Sequence, residues 1–364
     1  MPVINRIAGY ADDMTAWRRW MHRNPELGFE CHKTAAFVAE RFPFALERTA
    51  DRLTTAIAKH LADNGETDQQ RDQRLHQARS FTSWTDGDGM TIIRAALLLP
   101  YATRVRFVGW VMQHVLGPVS GYRRRALDNL AMIYPDMDKA ERARIAGTCL
   151  NNAGRTFIEN YSSRDFPERL ADNPLRGDGV APLLAAAQVG QPVILVSGHY
   201  GNYEAVRAAL VARGLAIGGL YRNMANPYFN AHYVKTMEAF GGPVFPQGRR
   251  GTAGFVRHLR DGGQLVLLFD QHVFGAPPLD FLGEPANTAL SAAELALRFD
   301  ALLIPFYGIR GPDGLSFDTV LEAPIPPTDA HQMTQALNDS LGARIDADPT
   351  QWFWVHRRWR IQDN

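Results

Sequence analysis

Short apolar runs and longer segments with helical spacing of apolar residues follow one another along most of the chain. This pattern predicts strands followed by helices. Residues 193–196 are aliphatic without alternation, which predicts a strand buried on both faces of a mostly parallel sheet. Gly198 and Gly201 then permit a tight turn. Residues 204–213 have the pattern of a helix that ends at Gly214. A strand, a turn and a helix are therefore expected in direct succession.

The same alternation continues towards the C-terminus and predicts βαβ units. Further strands are predicted at residues 217–221, 243–246, 264–269 and 301–307, with an edge strand at 316–321. Helices are predicted at residues 125–134, 139–150, 228–240, 252–259, 289–299 and 330–346. The predicted fold class is therefore α/β, with a mostly parallel central sheet flanked by helices and an N-terminal helical extension.

Composition changes along the N-terminal part of the chain. Residues 43–89 are polar and mixed in charge, which is typical of a flexible linker. Residues 90–127 contain no acidic residue, yet carry six arginines among apolar positions. This pattern predicts interfacial helices that contact anionic lipid headgroups, because the uncharged stretch 107–122 is short for a spanning helix. A pair of core helices whose arginines face water is the alternative.

Overall composition excludes several classes of protein. The net charge is +1, from 39 basic and 38 acidic side chains, so no global field favours nucleic acid. Cys31 and Cys149 are the only cysteines, too few for a disulfide scaffold or a cysteine metal site. The first residues lack a basic segment followed by an apolar one, so no secretory signal is expected.

His199 and Glu204 are the first candidates for chemistry, since His199 is predicted at the carboxyl end of a strand, where α/β sheets bind ligands. Residues five apart do not face each other on one helix, so the pair can meet only if His199 lies in the turn. An ionised Glu204 at the helix N-terminus could then accept from one imidazole nitrogen and leave the other basic. The spacing alone also fits a surface histidine and an ordinary first-turn glutamate.

Five blocks occur in a fixed order along the chain: His-Tyr-Gly-Asn-Tyr-Glu at 199–204, residues 221–227, Phe-Asp-Gln at 269–271, residues 281–286 and the aromatic and basic run 351–360. Over residues 90–360 the chain thereby resembles the lipid A biosynthesis lauroyl/myristoyl acyltransferases of the lysophospholipid acyltransferase superfamily. The resemblance implies a glycerol-3-phosphate acyltransferase-like domain. It also implies transfer of a fatty acyl chain from acyl carrier protein or acyl-CoA to a hydroxyl of a lipid A precursor.

The resemblance also implies roles for individual residues. His199 is the expected general base and Glu204 the residue that orients it, without a covalent intermediate. The expected substrate-binding residues are Gly201, Asn202, Arg222 and Asp270. A serine nucleophile is not favoured, because no Gly-x-Ser-x-Gly sequence surrounds Ser197. No metal and no cofactor besides the acyl donor are expected.

The implied partners are acyl carrier protein, the lipid acceptor and an anionic membrane surface. The implied location is the cytoplasmic face of the inner membrane, with peripheral or weak attachment. His272 stands where relatives commonly have another acid, so other acceptors such as an ornithine lipid or a lysophospholipid remain open. A non-catalytic lipid-binding protein is a further alternative.

Two segments at the ends of the chain lead to separate predictions. Residues 1–42 resemble the opening helices of M20-type amidohydrolases, with His-Arg-Asn-Pro-Glu-Leu-Gly-Phe at 22–29, but no later block resembles that family's metal-binding motifs. A non-functional helical fragment is expected there. The alternative hypothesis is a metal-dependent amidohydrolase. Residues 352–360 are predicted to form a helix packed on the core, with a membrane anchor or a nucleic-acid stacking patch as alternatives.

Overall fold

The computed structural model describes residue 93 and residues 96–221, 234–246 and 248–359, with only the backbone described at Arg249 and Arg250. The chain divides into two units, residues 1–98 with 224–229 and residues 99–223 with 230–364. Everything below lies in the second unit. The predicted fragment 1–42, the linker 43–89 and Arg222 lie outside the described residues.

A mostly parallel sheet forms the centre of this unit. Its strands are β1 (Leu175–Arg176), β2 (Val193–Ser197), β3 (Ile217–Tyr221), β4 (Val244–Pro246), β5 (Gln264–Leu268), β8 (Leu302–Arg310) and β9 (Phe317–Leu321). Two further strands, β6 (Pro278–Phe281) and β7 (Glu284–Asn287), form a separate antiparallel hairpin. The order in the main sheet is β1-β9-β8-β2-β5-β3-β4, and only the β8–β9 pairing among these described strands is antiparallel. The predicted fold class is confirmed.

Helices cover both faces of the sheet. They are α1 (Tyr101–Val111), α2 (Tyr122–Ile133), α3 (Lys139–Tyr161), α4 (Asp165–Leu170), α5 (Val180–Val189), α6 (Tyr203–Ala212), α7 (Arg249–Arg260), α8 (Ser291–Phe299) and α9 (Ala330–Ala347). Residues 234–239 are also helical. Helix α3 begins at residue 139, as predicted, and the Asp138 side chain caps it by accepting from the N–H groups of Ala140 and Glu141. It continues to Tyr161, well beyond the predicted end at residue 150.

Strand β2 lies at the centre of the core, and all five of its residues are buried. Ile194 and Val196 pack into the cluster that includes helices α2, α3, α8 and α9. Val193 and Leu195 pack on the opposite side, with helices α5 and α6. Because successive side chains of a strand point to opposite faces, both faces of β2 must be apolar. This explains why the run lacks alternation.

The register of the sheet determines where the site lies. Ser197 of β2 pairs with Leu268 of β5 in parallel, so both strands end at the same edge of the sheet. His199 and Asp270 each lie two residues beyond the end of their strand. The parallel register therefore brings these two side chains together at the carboxyl edge, where α/β sheets form ligand crevices.

The prediction of a helix over residues 352–360 is wrong for residues 352–359, which the structure describes. A single 3₁₀ turn, Pro349–Gln351, is followed by turns, although Trp352 and Trp354 are fully buried. The backbone here bonds to the turn after β2: the N–H of Phe353 donates to the carbonyl of His199 at 3.0 Å, and Trp352 forms a bridge with Tyr200. Backbone groups used in this way are not available for helical hydrogen bonds.

The segment before α2 is partly core and partly surface. Arg104 is buried, donates to Ser162 Oγ at 3.0 Å and pairs with Asp165, so this arginine does not face lipid. Apolar side chains that remain exposed are Phe107, Trp110, Val115, Leu116 and Val119. None of the described helices combines the length and the hydropathy that crossing a bilayer requires.

Candidate active site

The imidazole of His199 is held by a buried carboxylate. Its Nδ1 lies 2.7 Å from Asp270 Oδ1, and its backbone N–H donates to Oδ2 at 2.7 Å. The indole N–H of Trp352 donates to the same Oδ2 at 2.8 Å. Asp270 is fully buried, whereas 26% of the His199 side chain remains exposed. Asp270 thus fixes the Nδ1 side of the imidazole, while part of the ring remains accessible to solvent.

The protonation state of the pair follows from these contacts. Burial raises the pKa of Asp270, but the charge of His199 and its hydrogen bonds outweigh burial and hold the pKa well below its usual range. An ionised carboxylate can only accept hydrogen bonds, so Nδ1 of His199 carries the proton. Nε2 is then the basic nitrogen, which is the tautomer that a general base requires.

The turn between β2 and α6 has a conformation that depends on glycine. Gly201 has a φ of 58°, and a Cβ there would lie 2.0 Å from the carbonyl oxygen of Gly308. The N–H of Gly201 donates to the carbonyl of Gln351 at 2.9 Å, and the N–H of Asn202 donates to Gly308 at 2.8 Å. This turn is therefore fastened to β8 and to the C-terminal segment.

A buried ion pair between Glu159 and Arg310 stabilises the turn. Asn202 caps α6 through its side-chain oxygen, and its Nδ2 donates to Glu159 Oε2 at 3.0 Å. Arg310 of β8 donates to both oxygens of Glu159, at 2.6 and 2.7 Å. The backbone N–H of Arg310 also donates to the side chain of Gln351 at 2.7 Å. Gly201 and Asn202 thus make hydrogen bonds that stabilise the turn. Their expected contact with substrate stays a prediction.

Replacing Glu159 by Gln should destabilise the fold. Glu159 and Arg310 are both almost fully buried, so the substitution leaves an uncompensated guanidinium in the core. Removing one partner of such a pair costs about 3 kcal/mol of unfolding free energy. Denaturant unfolding measures this loss, with Glu141→Gln as the control, because Glu141 pairs with Arg144 on the surface. Equal stability of the two variants would contradict the structural role given to the buried pair.

Glu204 makes a different contact from the predicted one. Its Oε2 lies 3.0 Å from Nη1 of Arg207, one turn further along α6, where residues three apart are neighbours. Arg207 also donates to the carbonyls of Met237 and Gly241. The carboxylate on Nδ1 of His199 belongs to Asp270. A catalytic role of Glu204 stays a prediction.

A second histidine lies against His199, and the sequence prediction missed it. The rings of His356 and His199 have centroids 4.4 Å apart and cross at 72°. Asn129 of α2 holds the segment in place, donating to the carbonyls of Trp354 at 2.7 Å and His356 at 2.8 Å. The block 351–360 contains this histidine, but its aromatic and basic side chains alone indicate a structural role.

His356 is neutral over the physiological pH range. Burial lowers the pKa of His356 to about 3, and the nearby charges of His199, Arg358 and Arg125 act in the same direction, against Asp270. One ring nitrogen of each histidine and a carboxylate oxygen of Asp270 lie within 4.8 Å of one another, so the three residues also form a possible metal-ligand set. In the structure, His199 Nδ1 and Asp270 Oδ1 are hydrogen bonded to each other.

Three comparisons relate the chain to known proteins. The family model described as bacterial lipid A biosynthesis acyltransferase matches residues 69–361. A lipid A biosynthesis acyltransferase of Haemophilus influenzae is 24% identical over 293 residues, which cover 77% of this chain and 91% of the relative. The lipid A biosynthesis lauroyltransferase of Escherichia coli (strain K12) is 23% identical over 289 residues, with coverages of 77% and 92%. The crystal structure of a 1-acyl-sn-glycerophosphate acyltransferase from Thermotoga maritima aligns with 69% of this chain and 99% of its own, at 10% identity and a TM-score of 0.33.

Proposed function

Because the chain belongs to the bacterial lipid A biosynthesis acyltransferase family and is an acyltransferase, we propose that it transfers a fatty acyl chain from a thioester to a hydroxyl of a lipid A precursor. The contact between His199 Nδ1 and ionised Asp270 supports this proposal most directly. It leaves Nε2 of a partly exposed imidazole free to accept a proton at the sheet edge.

In this proposal the reaction is a direct transfer. The acceptor hydroxyl binds beside Nε2 of His199 and gives up its proton as its oxygen attacks the thioester carbonyl carbon. Asp270 stabilises the imidazolium that forms, since it is ionised and fixed to Nδ1. When the tetrahedral intermediate collapses, the C–S bond breaks and the departing thiolate takes the proton from His199.

Other residues position the substrates. Acyl carrier protein or coenzyme A carries the acyl chain, and Arg222 pairs with a phosphate of the donor or the acceptor. Glu204 contributes through its pair with Arg207, which anchors the first turn of α6. No step of this mechanism requires a metal ion or a further cofactor.

The acceptor is a lipid, and we place the protein at the cytoplasmic face of the inner membrane. The exposed apolar side chains between Phe107 and Val119 support a peripheral attachment. Arg106, Arg123 and Arg124 are exposed on the same segment, where they suit anionic headgroups. Apolar side chains beside cations are typical of interfacial helices.

The substrate assignment is tested by acyl transfer in detergent micelles, with and without a chelator. Lauroyl carrier protein and lauroyl-CoA serve as donors, and the acceptors are a lipid A precursor, a lysophospholipid and an ornithine lipid. We expect transfer to the lipid A precursor at a kcat/KM about 10² or more above that for the other acceptors, because an enzyme discriminates between substrates by how well it binds their transition states. A preference for another acceptor contradicts the assignment, and loss of transfer on chelation contradicts the metal-independent mechanism.

A further inference from the structure

Acyl transfer places a negative charge on the thioester carbonyl oxygen, and this charge needs hydrogen-bond donors. Three backbone N–H groups of the turn that carries the general base are already engaged. His199 N–H donates to Asp270 Oδ2, Gly201 N–H to Gln351, and Asn202 N–H to Gly308. These three groups of the turn are therefore not available as oxyanion donors.

His356 lies beside His199 and has a ring nitrogen that is available to donate a hydrogen bond. Its Nε2 is buried and has no hydrogen-bond partner in the part of the chain that the structure describes. A buried nitrogen without a partner is unfavourable, and a bound group that completes the hydrogen bond can recover this cost. One of its nitrogens lies within 4.8 Å of a ring nitrogen of His199, so one acyl carbonyl bound beside the two rings can be reached from both.

The ring of His356 is held in a fixed position. Phe353 packs against it with ring centroids 4.9 Å apart, and Asn129 holds the backbone on both sides of Val355. A neutral imidazole can polarise a carbonyl without introducing a second positive charge beside His199.

We propose that His356 is a second catalytic residue, which donates its ring N–H to the thioester oxygen as negative charge develops there. This inference rests on the proposed acyl transfer. As the acceptor oxygen bonds to the carbonyl carbon, the π pair of the carbonyl moves to the oxygen beside His356. That pair re-forms the double bond when the C–S bond breaks. His356 keeps its proton throughout, whereas His199 receives a proton and returns it to the thiolate.

Substitutions of His356 separate a donor from a packing role. His356→Phe preserves an aromatic ring and removes the N–H, so kcat is expected to fall about 10²- to 10³-fold with little change in KM. His356→Gln restores a donor and should recover at least about tenfold of that loss. The matched control is His258→Phe on α7, where Nε2 is also buried without a described partner but the ring packs on Phe245.

Two results would overturn the inference. One is a His356→Phe enzyme with kcat within about threefold of wild type, since a lost oxyanion donor costs far more. The other is an equal loss in His356→Phe and His356→Gln at unchanged melting temperature, which would assign the ring a packing role.

If the wild type transfers no acyl chain, the proposed function fails, and binding of dodecylphosphonate still tests His356. The tetrahedral anion should bind at least about tenfold more weakly to His356→Phe, and neutral dodecanamide equally well.

Discussion

Replacing His199 by Ala is expected to lower kcat for acyl transfer by about 10⁴-fold, the upper end of what a positioned general base contributes. The substitution removes the group that accepts the hydroxyl proton and that later protonates the thiolate. The fold should persist, because the imidazole is at the partly exposed edge of the sheet and Asp270 keeps its bonds to the backbone of residue 199 and to Trp352. Single-turnover transfer from lauroyl carrier protein measures the loss.

His331→Ala is the control for this substitution, because His331 is exposed at the start of α9. Its activity should stay within about twofold of the wild type, as is usual for surface positions. If His199→Ala kept more than about a tenth of the wild-type kcat at an unchanged melting temperature, a base worth at least about 10²-fold would have to lie elsewhere.

Replacing Asp270 by Asn is expected to lower kcat by about 10³-fold, since loss of the carboxylate changes the tautomer of the catalytic histidine. The amide N–H₂ of Asn can donate to Nδ1 of His199, which moves the ring proton to Nε2 and removes the basic lone pair. KM for the donor and the acceptor should change little, because Asp270 is fully buried behind the ring. Steady-state kinetics with both substrates varied separate the two parameters.

Asp261→Asn is the matched control, because the Asp261 side chain is 59% exposed and pairs with the neighbouring Arg260. It should leave both kcat and the melting temperature unchanged. A large increase in KM for Asp270→Asn without a change in kcat would assign Asp270 to substrate binding and would contradict its role as the partner of His199.

The fold was predictable because local patterns dominate it. The strand predicted at residues 193–196 is β2, Val193–Ser197, and the helix predicted at residues 204–213 is α6, Tyr203–Ala212. Full burial of β2 explains the unbroken apolar run, and glycines mark the turn. The family resemblance predicted over residues 90–360 is confirmed by the match over residues 69–361.

The partner of His199 was not predictable from spacing. Glu204 is near in sequence, whereas Asp270 is 71 residues away and reaches His199 only through the parallel register of β2 and β5. The position of Asp270 at a strand end suggested a place in the site but not its contact. Local spacing favoured the glutamate because it contains no information on which strand lies beside β2.

The helix predicted over the C-terminal block, residues 352–360, is wrong for a related reason. Its aromatic and basic side chains are compatible with a packed helix, but the backbone of residues 351–353 bonds to the turn that carries His199. Such pairing depends on contacts about 150 residues apart in the chain, which propensity does not encode. The placement of His356 beside His199 follows from the same pairing.

The central claim is that Asp270 acts through His199, and a double-mutant cycle tests it most directly. If the two residues work as one unit, the variant carrying both His199→Ala and Asp270→Asn should be within about threefold of His199→Ala alone, because effects within a catalytic unit do not add. Independent contributions would instead multiply to a loss of about 10⁷-fold. Such a multiplied loss in single-turnover acyl transfer, with all variants folded, would contradict the account.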